Sequence, residues 1–407
     1  MENQHENDIV YFTLSRIDSV YSSPALSLAK ELSKTNRVFY INHPYSIKDF
    51  LLEIFRSKRL KRLALNLLFS KTTFEKGERD SNFVSVVPPL TLPINWLGKG
   101  ALYNFLWRLN NKRMLGVVER TIKKFGIQSF IFVNSYDPYL LGWIPERMNP
   151  KLNIYQSIDD ISQDPYTQKH GVQLEIEAVK HADIVIVTGS KLKEKLKAYN
   201  SEIHVLNNAV DFSIFGDIDY DKIERPSDLK AIKGPIIGFT GNLDRLRVDY
   251  PLIKSIALSN PQRSVVMVGP INNSEIYDLG IDKLENVYLL GHKDISQLPQ
   301  YLKFMDVTII PFLCNELTSS IYPLKINEYL AAGKPVVSTN FSKDINDFGE
   351  VITLAGSHQQ FIEGIDKALE DKSIERVKLR KRVAFSNTWS ARKQQFWNII
   401  DNVNKAQ

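Results

Sequence analysis

Three segments near the start of the chain restrict its fold more than any other feature. Ile9–Leu14 (IVYFTL) is a short, continuous apolar run of the kind that forms a buried strand. A polar loop over Ser15–Ser23 follows. Pro24 then opens a helical pattern, PALSLAKELSKT, in which Leu26, Ala29 and Leu32 share roughly one face. Arg37–Asn42 (RVFYIN) reads as a second strand. Strand, helix and strand at this spacing make a βαβ unit, and such a unit needs its two strands parallel in one sheet.

The pattern recurs. Phe83–Val87, Ser129–Val133, Leu152–Tyr155, Asp183–Thr188 and Ile203–Leu206 are further apolar runs, with helical stretches at Asn104–Phe125 and Gln173–His181. Strands of a parallel sheet are covered on both faces, so they read as continuous apolar runs rather than alternating ones. Residues 209–234 are polar and irregular and read as a linker. A second βα series follows: Ile236–Thr240, Ser264–Val268, Val287–Leu290, Val307–Pro311 and Pro335–Ser338. The 407 residues exceed one ordinary core and suit two domains of about 150–200 residues. The expected organisation is an α/β domain over 1–208, a linker over 209–234, a second α/β domain over 235–385, and a closing helix over 386–407 packed outside the second sheet. Two doubly wound parallel sheets of this kind bind ligands at the carboxyl ends of their strands, and the expected site is a cleft where those ends face each other.

Other properties narrow the class. The opening MENQHEND has neither the basic start nor the apolar stretch of a secretory signal. No run reaches the ~18 apolar residues of a membrane span. Cys314 is the one cysteine, so an internal disulfide is excluded and a reducing cytosol is expected. The net charge of +6 is unevenly spread: Lys48–Lys71 carries seven Lys/Arg against two acids. Within it Leu60, Leu63, Ala64, Leu67 and Leu68 fall at helical spacing, flanked by Arg56, Lys58, Arg59, Lys61 and Arg62. Such a helix either lies on an anionic membrane or turns its apolar stripe to its own core. Nothing points to nucleic acid as a partner.

The chemistry concentrates in Asp306–Thr339, DVTIIPFLCNELTSSIYPLKINEYLAAGKPVVST. A strand ends near Pro311, a polar loop leads to Pro323, and the helix LKINEYLAA ends at Gly333, a suitable C′ residue. A helix N-terminus at the carboxyl end of a parallel strand favours an anion through its N–H groups and its dipole. Lys325 and Glu328 are three apart and share a face. The lysine can meet a phosphate and the carboxylate can accept from vicinal ribose hydroxyls. Thr318, Ser319 and Ser320 could add hydroxyl donors to a diphosphate. A plain i,i+3 ion pair on a capped helix is the alternative.

On these residues the segment resembles the donor-binding region of GT-B-fold glycosyltransferases, specifically the bacterial family 4-like group and its teichuronic acid biosynthesis branch. Asn315, Thr318, Pro323, Leu324, Lys325, Glu328, Tyr329, Leu330, Gly333, Lys334, Pro335 and Val336 carry the likeness. GFTGNLDRLRVDYPLI, MVGP and NVYLLGHKDISQLPQYLKFMDVTIIPF resemble the family's earlier donor-domain pieces in order. The resemblance implies two Rossmann-like domains and sugar transfer from a nucleotide-sugar co-substrate, UDP-linked by family default. It implies a glycan or lipid-linked glycan as acceptor, with no bound metal or other cofactor. It also implies donor contacts from Gly241, Asn242, Arg245, Arg247 and His292. Two positions depart from the family pattern: Ser320 stands where a second glutamate contacts the donor sugar, and Asp249 stands near an expected lysine. Both departures bear on the retaining mechanism of the parent family.

In the first half, NIYQSIDDISQDPY places Asp159 and Asp160 just past a strand end. It resembles the Tyr-x-x-x-Asp-Asp stretch of inverting enzymes such as the xanthan glucuronosyltransferase type, where an aspartate is the base. Helix capping is the alternative, and one aspartate could do each. Asp18 and Asp137 also end strands and are further candidates for the base, behind the 159/160 pair. His43 and His181 have no partner identifiable in the sequence and read as structural. A nicotinamide enzyme is disfavoured because GFTGNL gives only Gly-x-x-Gly. A nucleotide-sugar 2-epimerase and a non-catalytic binding subunit of the same fold are the rival readings.

Overall fold

A computed structural model describes residues 7–19, 23–76, 82–163, 165–371 and 373–406. The opening Met1–Glu6, Asp164 and part of the Ser15–Ser23 loop lie outside the described residues. Among the described residues fourteen strands form two sheets. The first contains β1 (Asp8–Thr13), β2 (Arg37–Ile41), β3 (Thr73–Lys76), β4 (Phe83–Val87), β5 (Phe130–Ser135), β6 (Pro150–Ser157), β7 (Ile184–Val187) and β8 (Ile203–Val205). The second contains β9 (Ile236–Thr240), β10 (Ser264–Val268), β11 (Val287–Leu289), β12 (Val307–Ile310), β13 (Val336–Thr339) and β14 (Thr353–Ala355).

The strand orders are β3-β4-β2-β1-β5-β6-β7-β8 and β11-β10-β9-β12-β13-β14. Every pairing is parallel except β3 with β4. In each sheet the winding reverses beside the first strand of the series, between β1 and β5 and between β9 and β12. Loops diverge at such a reversal and leave room for a ligand at the carboxyl ends. The apolar runs form the central strands because helices cover both faces: β1, β2 and β5 are buried, as are β9, β10 and β12.

The chain divides into two compact units, residues 1–206 with 393–407, and residues 207–392. Two expectations are corrected. Residues 209–234 are not a free linker, because Val210, Phe215, Leu229 and Ile232 are buried in the second core. These apolar residues have no period, which is why the stretch reads as irregular. The closing helix Trp389–Ala406 does not cap the second sheet over its length; from Lys393 onward it groups with the first unit. Phe396, Trp397, Ile400 and Val403 are buried, and Lys393 lies 3.9 Å from Glu31.

Candidate functional site

In the second unit the carboxyl ends of β9, β10 and β11 each pass into a glycine with positive φ: Gly241 at 152°, Gly269 at 155° and Gly291 at 68°. The Gly241 N–H donates to Val268 O and the Gly269 N–H to Gly291 O, each at 2.9 Å. A Cβ on Gly269 would lie 1.7 Å from Gly241 O, and one on Gly241 would lie 3.1 Å from Lys325 Cε. The bare backbone at this edge therefore lets the stem of Lys325 lie close over the end of β9.

Lys325 is the second residue of the helix Leu324–Ala331, which starts behind Pro323 and ends with Gly333 at φ 74°. The Tyr329 hydroxyl fixes this helix to β9, accepting from Thr240 N at 2.8 Å and donating to Thr240 O at 3.3 Å. The helix N-terminus is thereby held beside the β9/β12 reversal. Lys325 Nζ stands 3.2 Å from Oε2 of Glu328, whose side chain is buried. The structure thus brings Gly241, Lys325 and Glu328 together.

The expected hydroxyl donors are placed differently. Thr318 is buried, reciprocally capped with Asn315 and donating to Leu313 O. Ser319 Oγ donates to Glu316 O at 2.8 Å, and buried Ser320 Oγ donates to Leu317 O at 2.7 Å. The helix Glu316–Ser319 is one turn long, so its carbonyls lack intrahelical partners and take the hydroxyl protons. All three hydroxyls thus donate to carbonyls of their own loop. Asn315 Nδ2 donates to Leu246 O at 3.0 Å, and Leu313 N to Arg247 O at 2.8 Å, which stitches this loop to the segment after β9. Arg247 Nε is buried and has no hydrogen-bond partner, with Asp244 at 3.9 Å. Arg245, Asn242 and His292 are exposed. Asp249 caps the helix Tyr250–Ser259 through Leu252 N at 2.8 Å, which explains a carboxylate at the expected lysine position.

The carboxyl edge of the first sheet holds several ionisable groups. Asp160 is a cap: its Oδ1 accepts from Ser162 N at 3.0 Å, Ser162 Oγ at 2.7 Å and Lys195 Nζ at 2.6 Å. Burial alone would push its carboxyl up, but these donors outweigh burial and hold it below the ordinary value. Asp160 thus forms the turn after β6 and pairs with Lys195. Asp159 is half-buried beside it. Asp18 is likewise held below its ordinary value, with Tyr45 and Arg59 outweighing its burial. Asp137 is fully buried and meets His43 Nδ1 at 2.5 Å, a partner that the sequence alone did not reveal. His181, by contrast, stacks on Trp143 with ring centroids 3.9 Å apart.

Residues 234–371 match the family described as glycosyl transferases group 1. The segment is a glycosyl transferases group 1 domain. It spans β9 to β14 and includes Gly241, Lys325 and Glu328. The chain is also 28% identical over 225 residues to a Bacillus subtilis (strain 168) protein named as a teichuronic acid biosynthesis glycosyltransferase, TuaH. That match takes in 53% of this chain and 56% of TuaH, a little over half the length of each. Sucrose-phosphate synthase from Thermosynechococcus elongatus superposes with a TM-score of 0.68 at 14% identity, covering 99% of this chain and 100% of that one. Anabaena HepE in complex with UDP and glucose gives 0.58 at 14% identity, covering 98% and 100%. The fold is GT-B. In the group 1 domain the residues missed from sequence are Gly269 and Gly291, whose signal was a glycine directly or nearly after each apolar run. In the first unit both His43 and Asp137 are named from the sequence, and what it misses is their pairing, together with the burial of Glu175 under β6.

Proposed function

We propose that the chain is a glycosyltransferase that moves a sugar from a nucleoside-diphosphate sugar to a hydroxyl of a glycan or lipid-linked glycan in surface polysaccharide synthesis. The observation that carries this reading is the juxtaposition of Gly241, Lys325 and buried Glu328 at the β9/β12 reversal of a glycosyl transferases group 1 domain. A diphosphate at the helix N-terminus would meet free N–H groups, the helix dipole and the Lys325 ammonium. Those charges would stabilise the leaving diphosphate without a metal ion. Glu328 would accept from the ribose hydroxyls, releasing Lys325 to the phosphates. UDP is the first nucleotide to try, since HepE is described with UDP and glucose.

Transfer with inversion also needs a base for the acceptor hydroxyl. For that role we put forward Asp159, which follows β6 beside Asp160, itself bound to Lys195 and Ser162. The acceptor side would work at the cytoplasmic face of an anionic membrane. Leu51, Leu52, Phe55, Leu65, Leu68 and Phe69 are exposed among Arg56, Lys58 and Lys61, which supports contact with lipid.

Titrating UDP, GDP and dTDP by calorimetry tests the donor site. Loss of a charge-assisted phosphate contact costs about 1.5–3 kcal/mol. Lys325→Ala should therefore weaken the preferred nucleotide by roughly 10- to 150-fold, and Glu328→Gln should remove the preference for ribose over deoxyribose. Equal affinity in folded variants and wild type would sink the assignment.

A further inference from the structure

The turn that leaves β1 carries a cation that no role above takes up. Arg16 follows the end of β1 at Thr13, beside the β1/β5 reversal of the first sheet. The turn is held from several sides. Ser15 N donates to Thr13 Oγ1 at 3.1 Å, the Tyr40 hydroxyl to Ser15 O at 3.2 Å, and Ile17 N to Asn42 Oδ1 at 2.8 Å. Ser19 N donates back to Arg16 O at 3.0 Å. The Arg16 guanidinium lies over the Tyr45 ring, 4.0 Å from its centroid. Tyr45 is buried, and its hydroxyl donates to Asp18 Oδ2 at 2.8 Å. A fixed ring thus holds the guanidinium in place by stacking.

Arg16 is half-buried, and its Nη1 is buried with no hydrogen-bond partner. A buried N–H left unpaired costs free energy, most of all on a charged group. Other ionisable groups at this edge are matched. Arg59 pairs with Asp18 at 2.9 Å and with Glu75 at 2.7 Å, Lys195 with Asp160 at 2.6 Å, and His43 with Asp137 at 2.5 Å. Asp18, two residues from Arg16, is thus turned to Arg59 and Tyr45. Among these described groups Arg16 alone has no counter-charge. A guanidinium can only donate, and its planar fork fits a carboxylate or a phosphate. The reversal of a parallel sheet is also where a ligand reaches the carboxyl ends of its strands.

We propose that the acceptor carries an acidic group, a phosphate ester or a sugar carboxylate, and that Arg16 binds it. The inference rests on the glycosyl-transfer reading, for which it names the acceptor class, and it concerns the first unit alone. An anion on the exposed part of the fork neutralises the guanidinium while Tyr45 keeps its orientation. The neighbouring cations Arg59 and Lys195 are already neutralised by Asp18, Glu75 and Asp160, so the preference for an acid falls on Arg16. Arg16 is a specificity-determining residue and takes no part in the bond changes.

The test uses full-length protein and three soluble probes that share one sugar: octyl glucoside, octyl glucuronide and octyl glucoside 6-phosphate, each below its micelle concentration. Calorimetry at low salt should show at least one acid binding about 10-fold or more tighter than the neutral glucoside, as a charge-assisted contact allows. Which acid gains identifies the group as carboxylate or phosphate. Added salt should narrow the gap. Arg16→Gln should abolish the preference and leave the neutral probe unchanged, while Arg16→Lys, which keeps the charge without the fork, should keep only part of it. Lys325→Ala should keep all of it, because the donor phosphates are bound elsewhere. Acids that bind no tighter than the neutral probe overturn the inference. So does a preference that survives Arg16→Gln, one that is full in Arg16→Lys, or one that is lost in Lys325→Ala. If Arg16→Gln melts early, the Arg16→Lys variant and the salt dependence of wild type decide, and a gap that salt does not change overturns it. A wild type that binds none of UDP, GDP and dTDP overturns the glycosyl-transfer reading instead, whatever the acids do.

Discussion

Glu175 shows how far one side chain can set the behaviour of the first unit. It is buried beneath β6, where burial pushes its carboxyl from the ordinary 4.5 up to about 7, against the Ser157 and Tyr155 hydroxyls that pull it down. The folded state therefore holds a proton between about 4.5 and 7 that the unfolded chain has released. By linkage, this stabilisation is full below about 4.5 and is lost as pH rises through about 7. Glu175→Gln has the same shape and stays neutral. It should raise the melting temperature at pH 8 and change it little at pH 4.5; an equal change at both would remove burial of charge as the cause. The same scale explains what the sequence could not disclose. Lys325 and Glu328 are three apart on one helix, so their pairing follows from spacing. His43 and Asp137 are 94 residues apart and meet only because the winding order sets β2 and β5 on either side of β1.

At the scale of elements, the central strands were legible because a strand covered on both faces must be apolar throughout. β3 was not, since TFEK has no apolar run and gains its place by antiparallel pairing at the sheet edge. The helix Lys58–Leu68 is the instructive case. Its stripe of Leu60, Leu63 and Leu67 is buried with Tyr45, Phe50, Val87 and Leu90, so it faces the core rather than lipid. Arg59 and Arg62 of the same helix pair with Glu75 at 2.7 Å each. Periodicity identifies residues that share a face but not what covers that face. The exposed apolar groups lie elsewhere, on the helix Ile47–Glu53 and its following turn and on the outer side of Lys58–Leu68. Leu51, Leu52, Phe55 and Phe69 changed together to Ser should abolish sedimentation with phosphatidylglycerol vesicles at low salt. Leu63→Ala should lower stability instead, by about 2–5 kcal/mol. Undiminished pelleting of the fourfold variant would exclude this surface. Among the described residues no helix is long and apolar enough to cross a membrane.

At the scale of the whole molecule, the chain leaves the first unit after Leu206 and re-enters it at Lys393, part-way along the helix Trp389–Ala406. The buried Phe396, Trp397, Ile400 and Val403 are thus supplied to the first unit from the far end of the sequence. Losing a large buried side chain costs about 2–5 kcal/mol, and a domain is stable by only about 5–15 kcal/mol. Deleting residues 393–407 should therefore expose residues 7–206 to limited proteolysis while residues 207–392 remain resistant, as read by mass spectrometry of the fragments. Uniform resistance would show that the helix adds little to the first unit. The arrangement also orders events on the ribosome. Residues emerge at about 5–20 per second, so residues 7–206 wait on the order of tens of seconds for the segment from Lys393. During that interval the second unit, continuous in sequence, can already close. Of the two units, the one begun earlier is the one completed later, and a nascent chain stalled before residue 393 would hold an unfinished domain in need of a chaperone.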